Sequence, residues 1–215
     1  MKIMKTIIEK IDKNQKNTDI IREAGRILKE GGLVAFPTET VYGLGADALN
    51  EDAAKKIYAA KGRPSDNPLI IHITNMKALD KIVSEVPEKA VKVAEKYWPG
   101  PLTMIFNKSD IVPYGTTGGL DTVAVRMPVD EIAREVIDAG GGYIAAPSAN
   151  TSGRPSPTTA QHVAEDLTGR VDMIVDGGAV EIGVESTILD VTVEPPMILR
   201  PGAITKEMFE EVIGE

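Results

Sequence analysis

Lys61-Gly62-Arg63-Pro64 sets two cations two residues apart, and Ser148-Ala149-Asn150 does the same with two small polar side chains. On extended backbone, residues at i and i+2 point to one side. Pro64 biases Arg63 toward extended conformation, and Gly62 lets a ligand approach the backbone. A lysine point charge beside a planar arginine fork suits a polyphosphate. The same residues also read as a helix C-terminus whose cations favour its dipole. Ser148 and Asn150 can bond phosphate or ribose, although both are ordinary turn formers.

Further candidates sit at strand ends. Thr122-Val-Ala-Val-Arg126-Met-Pro128 reads as a strand with Thr122, Ala124 and Arg126 on one face. An arginine ending a buried strand is a carboxylate clamp, or an edge residue paired with an acid. Arg200-Pro201-Gly202 ends the last strand in the same way, and Glu185-Ser186-Thr187 opens the one before it. His72, in Pro68 to Thr74, reads as a strand histidine with a hydrogen-bond partner, and His162 as a surface helix residue.

Several chemistries are excluded. There are no cysteines, so no disulfide framework, Cys-ligated metal or catalytic thiol exists. Two histidines without cysteine make no zinc cluster. There is no G-x-x-x-x-G-K-[ST] phosphate loop and no G-x-S-x-G elbow. Gly43-Leu-Gly45-Ala-Asp-Ala48 matches a dinucleotide fingerprint, but six residues separate it from the preceding strand. The glycines therefore read as tight-turn residues. The Asn150-Thr151-Ser152 triplet is a formal glycosylation acceptor with no secretory signal to give it meaning.

The elements that must position these residues follow from periodicity. Helices are expected over 18–31, with Thr18 as N-cap, and over 51–60, 87–98, 130–138 and 158–167, with a last one after Thr205. Strands are expected over 33–36, 68–74, 102–106, 122–127, 143–146, 171–175, 186–191 and 197–199. Long polar or Gly/Pro-rich loops are expected over 37–50, 61–67, 108–121, 147–157 and 176–185, and such loops are commonly functional. Helices alternate with strands until strands succeed one another near the C-terminus, which implies an α/β fold with a mixed sheet. No Gly/Ser/Pro-rich linker separates two cores, so residues 1–215 read as one domain.

Length and charge agree. A chain of 215 residues buries roughly 70% of its unfolded surface without staples. The net charge is −8, with +3 over residues 1–30 and −11 over the rest. An acidic body disfavours non-specific nucleic-acid binding. No segment reaches the ~18 apolar residues of a membrane span. The lack of cysteine fits a reducing compartment, and the expected location is the cytoplasm.

Seven blocks in order, Phe36 to Ala48, Lys61 to Ile73, Trp98 to Phe106, Thr122 to Pro128, Ala146 to Thr158, Gly183 to Asp190 and Ile198 to Ile204, resemble the YrdC-type L-threonylcarbamoyladenylate synthases. The likeness spans about residues 20–205 and is to the family's single-domain form. It implies an α/β fold with a twisted mixed sheet, flanking helices and a concave, positively charged cleft. It implies a nucleotidyltransferase that turns L-threonine, bicarbonate (as CO₂) and ATP into threonylcarbamoyl-AMP and pyrophosphate. A separate transferase complex would then modify the tRNA adenosine beside the anticodon. The family tetrad falls on Lys61, Arg63, Ser148 and Asn150, as the catalytic, phosphate-binding set. Asn67, Thr122, Ser156 and Arg200 would also meet ATP. Thr40, His72, Arg126, Ala146 and Ser186 would form the threonine pocket. Mg²⁺ is implied with the ATP phosphates and without protein ligands. Two readings compete: an RNA-binding module of the same fold with weak RNA contact, and a paralogue of the YciO type without synthase activity. A related domain in hydrogenase-maturation proteins is disfavoured by the absence of fused domains.

Overall fold

The computed structural model describes residues 5–12 and 16–214. In chain order the elements begin with β1 (Ile7–Lys10), α1 (Thr18–Lys29), β2 (Val34–Phe36), β3 (Gly43–Asp47), α2 (Glu51–Lys61) and β4 (Ile70–His72). A 3-10 turn (Met76–Ala78), α3 (Leu79–Ile82), α4 (Glu88–Tyr97), β5 (Leu102–Asn107), α5 (Tyr114–Thr117) and β6 (Thr122–Arg126) follow. The chain continues through α6 (Glu131–Ala139), β7 (Ile144–Ala145), α7 (Ala160–Leu167), β8 (Met173–Asp176), β9 (Thr187–Asp190), β10 (Met197–Arg200) and α8 (Lys206–Ile213).

The strands form one mixed sheet in the order β1-β8-β2-β3-β7-β4-β6-β5-β9-β10. β4 lies parallel to β6, with His72 opposite Arg126 and Ile70 opposite Ala124. β5 runs parallel to β9 and antiparallel to β6. The expected α/β fold with a mixed sheet and flanking helices is what forms.

Period-2 alternation divides the sheet's faces. Val34 and Phe36 join one core with Ile21, Leu28, Val136, Ile137 and Met173, under α1 and α6. Leu33 and Ala35 join the larger core with Ile57, Leu69, Ile71, Val93, Phe106, Val125 and Leu189. Helix ends follow local chemistry. The Asn50 side chain accepts from the backbone N of Asp52 and Ala53, and α2 closes on Gly62 at φ +62°, where a Cβ would be strained. Asp130, Thr159 and Thr205 cap α6, α7 and α8 in the same way. Thr18 is the first helical residue of α1 rather than its cap.

Several expectations are corrected, among them the loop expected over 108–121, which contains α5. Residues 43–47 are strand β3, hydrogen-bonded between β2 and β7, not a glycine turn. Glycine is required there by packing: a Cβ on Gly45 would lie 2.7 Å from the Phe36 ring and 2.9 Å from Ile144. The single loop expected over 37–50 is thereby reduced to a turn at 37–42. Residues 7–10 form an exposed parallel edge strand beside β8. Finally, the strand expected over 68–74 shortens to three residues. The loops over 147–157 and 177–186 contain neither helix nor strand. Among the described residues, no helix is long and apolar enough to cross a membrane.

Candidate active site

The turn after β2 is built on Thr38. Its Oγ1 donates to the Val41 carbonyl at 2.7 Å and accepts from the backbone N of Thr40 and Val41 at 3.2 and 3.3 Å. This holds Glu39 and Thr40 against the end of β6. Arg126 Nη1 donates to Thr40 Oγ1 at 2.8 Å, and its Nη2 lies 2.7 Å from Glu39 Oε1. The second contact is close but poorly aligned. Among the described residues neither Glu39 oxygen has a well-directed donor, and Arg126 Nε and Nη2 have no well-directed acceptor.

β4 sets His72 beside Arg126, one strand spacing away, roughly 4.8 Å. Burial, then the Arg126 charge, push the imidazole down to about 3, so it is neutral at physiological pH. Its Nδ1 lies 3.1 Å from the Ile70 carbonyl. From β9 and β10, Ser186 and Arg200 join the site. Arg200 Nε and Nη2 donate to the carbonyl and hydroxyl of Ser186 at 3.0 and 3.1 Å. The Ser186 hydroxyl also shares a 2.7 Å hydrogen bond with Thr103. From the loop after α2, Arg63 Nη2 donates to the Pro68 carbonyl at 3.0 Å. Burial lowers both Arg63 and Arg200 from the usual guanidinium range.

These groups share a cleft with about 560 Å³ of empty volume open to solvent. Thr40, His72, Arg126, Ala146 and Ser186, the five residues expected in an amino-acid pocket, all line it. Arg63, Ser148 and Arg200, from the expected nucleotide set, line it as well. Five expected residues lie away from its wall. Thr122 begins β6, at the opposite end from Arg126. Asn67 is exposed. Ser156 donates to Glu185 at 2.5 Å, and it is Glu185 that lines the cleft. That bond, with some help from Arg200, holds the Glu185 carboxyl below its usual range. Lys61 and Asn150 are buried, with the Lys61 ammonium against carbonyls of the loop that carries Asn150.

The i, i+2 argument for Lys61 and Arg63 does not survive. Lys61 is the last residue of α2 and Gly62 is left-handed, so the two side chains diverge. The arginine reaches the cleft. The lysine does not. Arg126 lines the cleft and is paired with an acid, but β6 is an interior strand between β4 and β5, so the edge-residue reading is corrected. Glu39 escaped sequence reasoning, and Glu185 was named only as part of a strand start, with no role of its own. Each lies inside a block of the resemblance, but an acid next to a threonine or serine carries no local signal of its own.

No group of three or more His, Asp or Glu side chains able to hold a metal occurs among the described residues. The donor set around the cleft is cationic and hydroxylic, with Glu185 as its acid. It fits a Mg²⁺ carried in by nucleotide phosphates better than a resident ion.

Around one cleft of this α/β sheet gather three guanidinium groups, two from strand ends and one from the loop after α2, with hydroxyls and a neutral imidazole, an arrangement suited to anionic groups. The chain belongs to the Sua5/YciO/YrdC family, whose sequence model, described as telomere recombination, matches residues 26–202. It is 58% identical over 195 residues to the threonylcarbamoyl-AMP synthase of Pyrococcus abyssi, covering 91% of this chain and 57% of that protein. It is 53% identical over 215 residues to the Bacillus subtilis protein of the same name, covering 100% and 62%. A crystal structure of P. abyssi Sua5 complexed with L-threonine superposes with a TM-score of 0.90 at 55% identity, covering 99% of this chain and 61% of that one. The chain thus spans about three-fifths of the length of these relatives.

Proposed function

We propose that this chain is the catalytic unit of an L-threonylcarbamoyladenylate synthase. Arg126, positioned by Thr40 and Glu39, receives the threonine carboxylate. Thr40, neutral His72 and Ser186 seat the rest of the amino acid, with Ala146 as part of the wall. Arg63, Ser148 and Arg200 receive the ATP phosphates. The threonine amine adds to CO₂, losing a proton, to give a carbamate. A carbamate oxygen attacks the α-phosphorus of ATP, a P–O bond to pyrophosphate breaks, and threonylcarbamoyl-AMP remains. Mg²⁺ bound through the phosphates would supply further neutralisation of the developing charge.

This chemistry asks for no protein nucleophile. It asks for two substrates held in line and for fixed positive charge where negative charge moves. The observation that carries the reading is the shared cleft, which Arg126 lines together with Thr40, His72 and Ser186, and which Arg63 and Arg200 line as well. Neutral His72 fits because it leaves the carboxylate to the arginine and adds no second fixed charge. The name and bound threonine of the P. abyssi relative support the same assignment.

The test is pyrophosphate release from Mg-ATP by the purified chain, with and without L-threonine and bicarbonate. Release that requires both is expected. ATP and threonine binding without release would favour a paralogue lacking synthase activity. Salt-sensitive RNA binding without either would favour the RNA-binding module. Delivery of the product to a tRNA-modifying complex belongs to the same proposal.

A further inference from the structure

The four residues Lys61, Arg63, Ser148 and Asn150 divide into two pairs. Arg63 and Ser148 line the cleft. Lys61 and Asn150 are buried, at 3% and 7% exposure, and their polar atoms are spent on the backbone of the neighbouring loop. The Lys61 ammonium donates to the carbonyl of Ser148 and, at 2.6 Å, to that of Asn150. Its third direction faces Asn150 Oδ1 at 3.5 Å. The Lys61 carbonyl accepts from Ser152 N at 2.8 Å, so both ends of the residue grip one segment. The Asn150 amide donates onward to the carbonyls of Thr151 and Arg154 at 2.9 and 2.8 Å.

An ammonium has three donors and no acceptor. A phosphate reaching Lys61 would have to displace buried carbonyls that then lose their partner. The carbonyls of Ser148 and Asn150 turn inward to the lysine, and between them Ala149 N donates to the Tyr42 carbonyl at 2.8 Å. The loop is thereby fixed with Ser148 at the cleft wall.

We propose that Lys61 and Asn150 are positioning residues that act on the nucleotide through the 147–152 loop, while Arg63 and Ser148 are the members of the set that touch it. This rests on the synthase reading for the identity of the ligand, but not for the geometry of the loop. Burial, with the nearby Arg63 charge, pulls Lys61 down to about 7, and the carbonyls of Ser148 and Asn150 are the contacts that favour its ammonium form.

The test compares Lys61→Met with Arg63→Ala. In Lys61→Met without ligand, amide exchange over residues 147–152 should rise by about tenfold or more. Its KM for ATP should rise by about tenfold, with L-threonine affinity in the absence of ATP held within about twofold. Arg63→Ala should raise the KM for ATP with loop exchange as in the wild type. Wild-type loop exchange in Lys61→Met, together with lost ATP binding, would make the lysine a direct phosphate ligand and overturn the proposal. Should Lys61→Met fail to fold, reductive methylation of the wild-type protein decides instead. Lys61 is expected to resist methylation with and without ATP. Rapid methylation that ATP blocks would refute the positioning role. If the wild type releases no pyrophosphate, the synthase reading falls, and loop exchange and methylation still judge the positioning role.

Discussion

Arg126 and Glu39 form an ion pair within 2.7 Å whose side chains are only 5% and 4% exposed. The pair is close without being well aligned, and Thr40 takes the other terminal nitrogen of the arginine. A buried charge that loses its partner is expensive. Glu39→Ala should therefore lower stability by about 3–5 kcal/mol, read from urea unfolding. The double variant Glu39→Ala/Arg126→Met should lose less than the sum of the single losses. Additive losses would show that the two charges are not coupled.

Arg63 is held by carbonyl oxygens of its own loop, chiefly that of Pro68. Among the described residues its side chain bonds carbonyl oxygens rather than an acid. Its removal should spare the fold and strike the chemistry. Arg63→Ala is expected to lower kcat/KM for ATP by roughly 10²–10³, by analogy with loss of one preorganised donor. The thermal midpoint should move little. Lysine at this position should restore only part of the activity, since a point charge cannot replace a planar fork.

His72 makes the protein sensitive to acid. Its folded-state pKa, near 3, lies below the ordinary histidine value of 6.5. Between those values the unfolded chain binds a proton that the folded chain refuses, so stability falls as pH drops from about 6.5 toward 3. His72→Gln should flatten this part of the stability–pH curve measured by chemical unfolding. An unchanged slope in the variant would mean that other groups cause the acid sensitivity.

Glu185 is a carboxylate facing a cleft proposed to bind a polyanion, and the bond from Ser156 keeps it ionised. Glu185→Gln keeps the hydrogen-bonding shape and removes the charge. The KM for ATP should fall several-fold, more so at low ionic strength, where repulsion is less screened. A rise in KM would instead assign Glu185 a favourable contact, such as one to nucleotide-borne Mg²⁺.

Much of the architecture was legible in the chain because periodicity speaks locally. Helices expected from 51, 130, 158 and after Thr205 begin within two residues of those points, although Thr18, the one cap read from sequence, lies inside its helix. β3 was hidden because Gly43-Leu-Gly45-Ala-Asp47 lacks the β-branched residues that announce a strand. Its glycines answer to Phe36 and Ile144, packing partners that no local window contains. The site was legible as residue types at strand ends, and the resemblance supplied the grouping. What stayed hidden was depth. Lys61 and Arg63 look equivalent in sequence, and only the helix end between them turns one inward to the loop and the other toward the cleft. The Glu39 pairing stayed hidden for a related reason, since 87 residues separate it from Arg126 and only the sheet brings them together.

The strand order has a consequence for how the protein comes into being. Thr40 follows β2, His72 ends β4, Arg126 ends β6, and Ser186 and Arg200 flank β9 and β10, with β7 threaded between β3 and β4. The cleft is therefore closed by residues from nearly the whole length of the sequence. A chain emerging from the ribosome completes the cleft only when Glu185, Ser186 and Arg200 arrive with β9 and β10. Topology this non-local also slows folding. A chain truncated before Arg200 would keep Arg63 and Arg126 in its sequence and lack the third guanidinium group of the cleft.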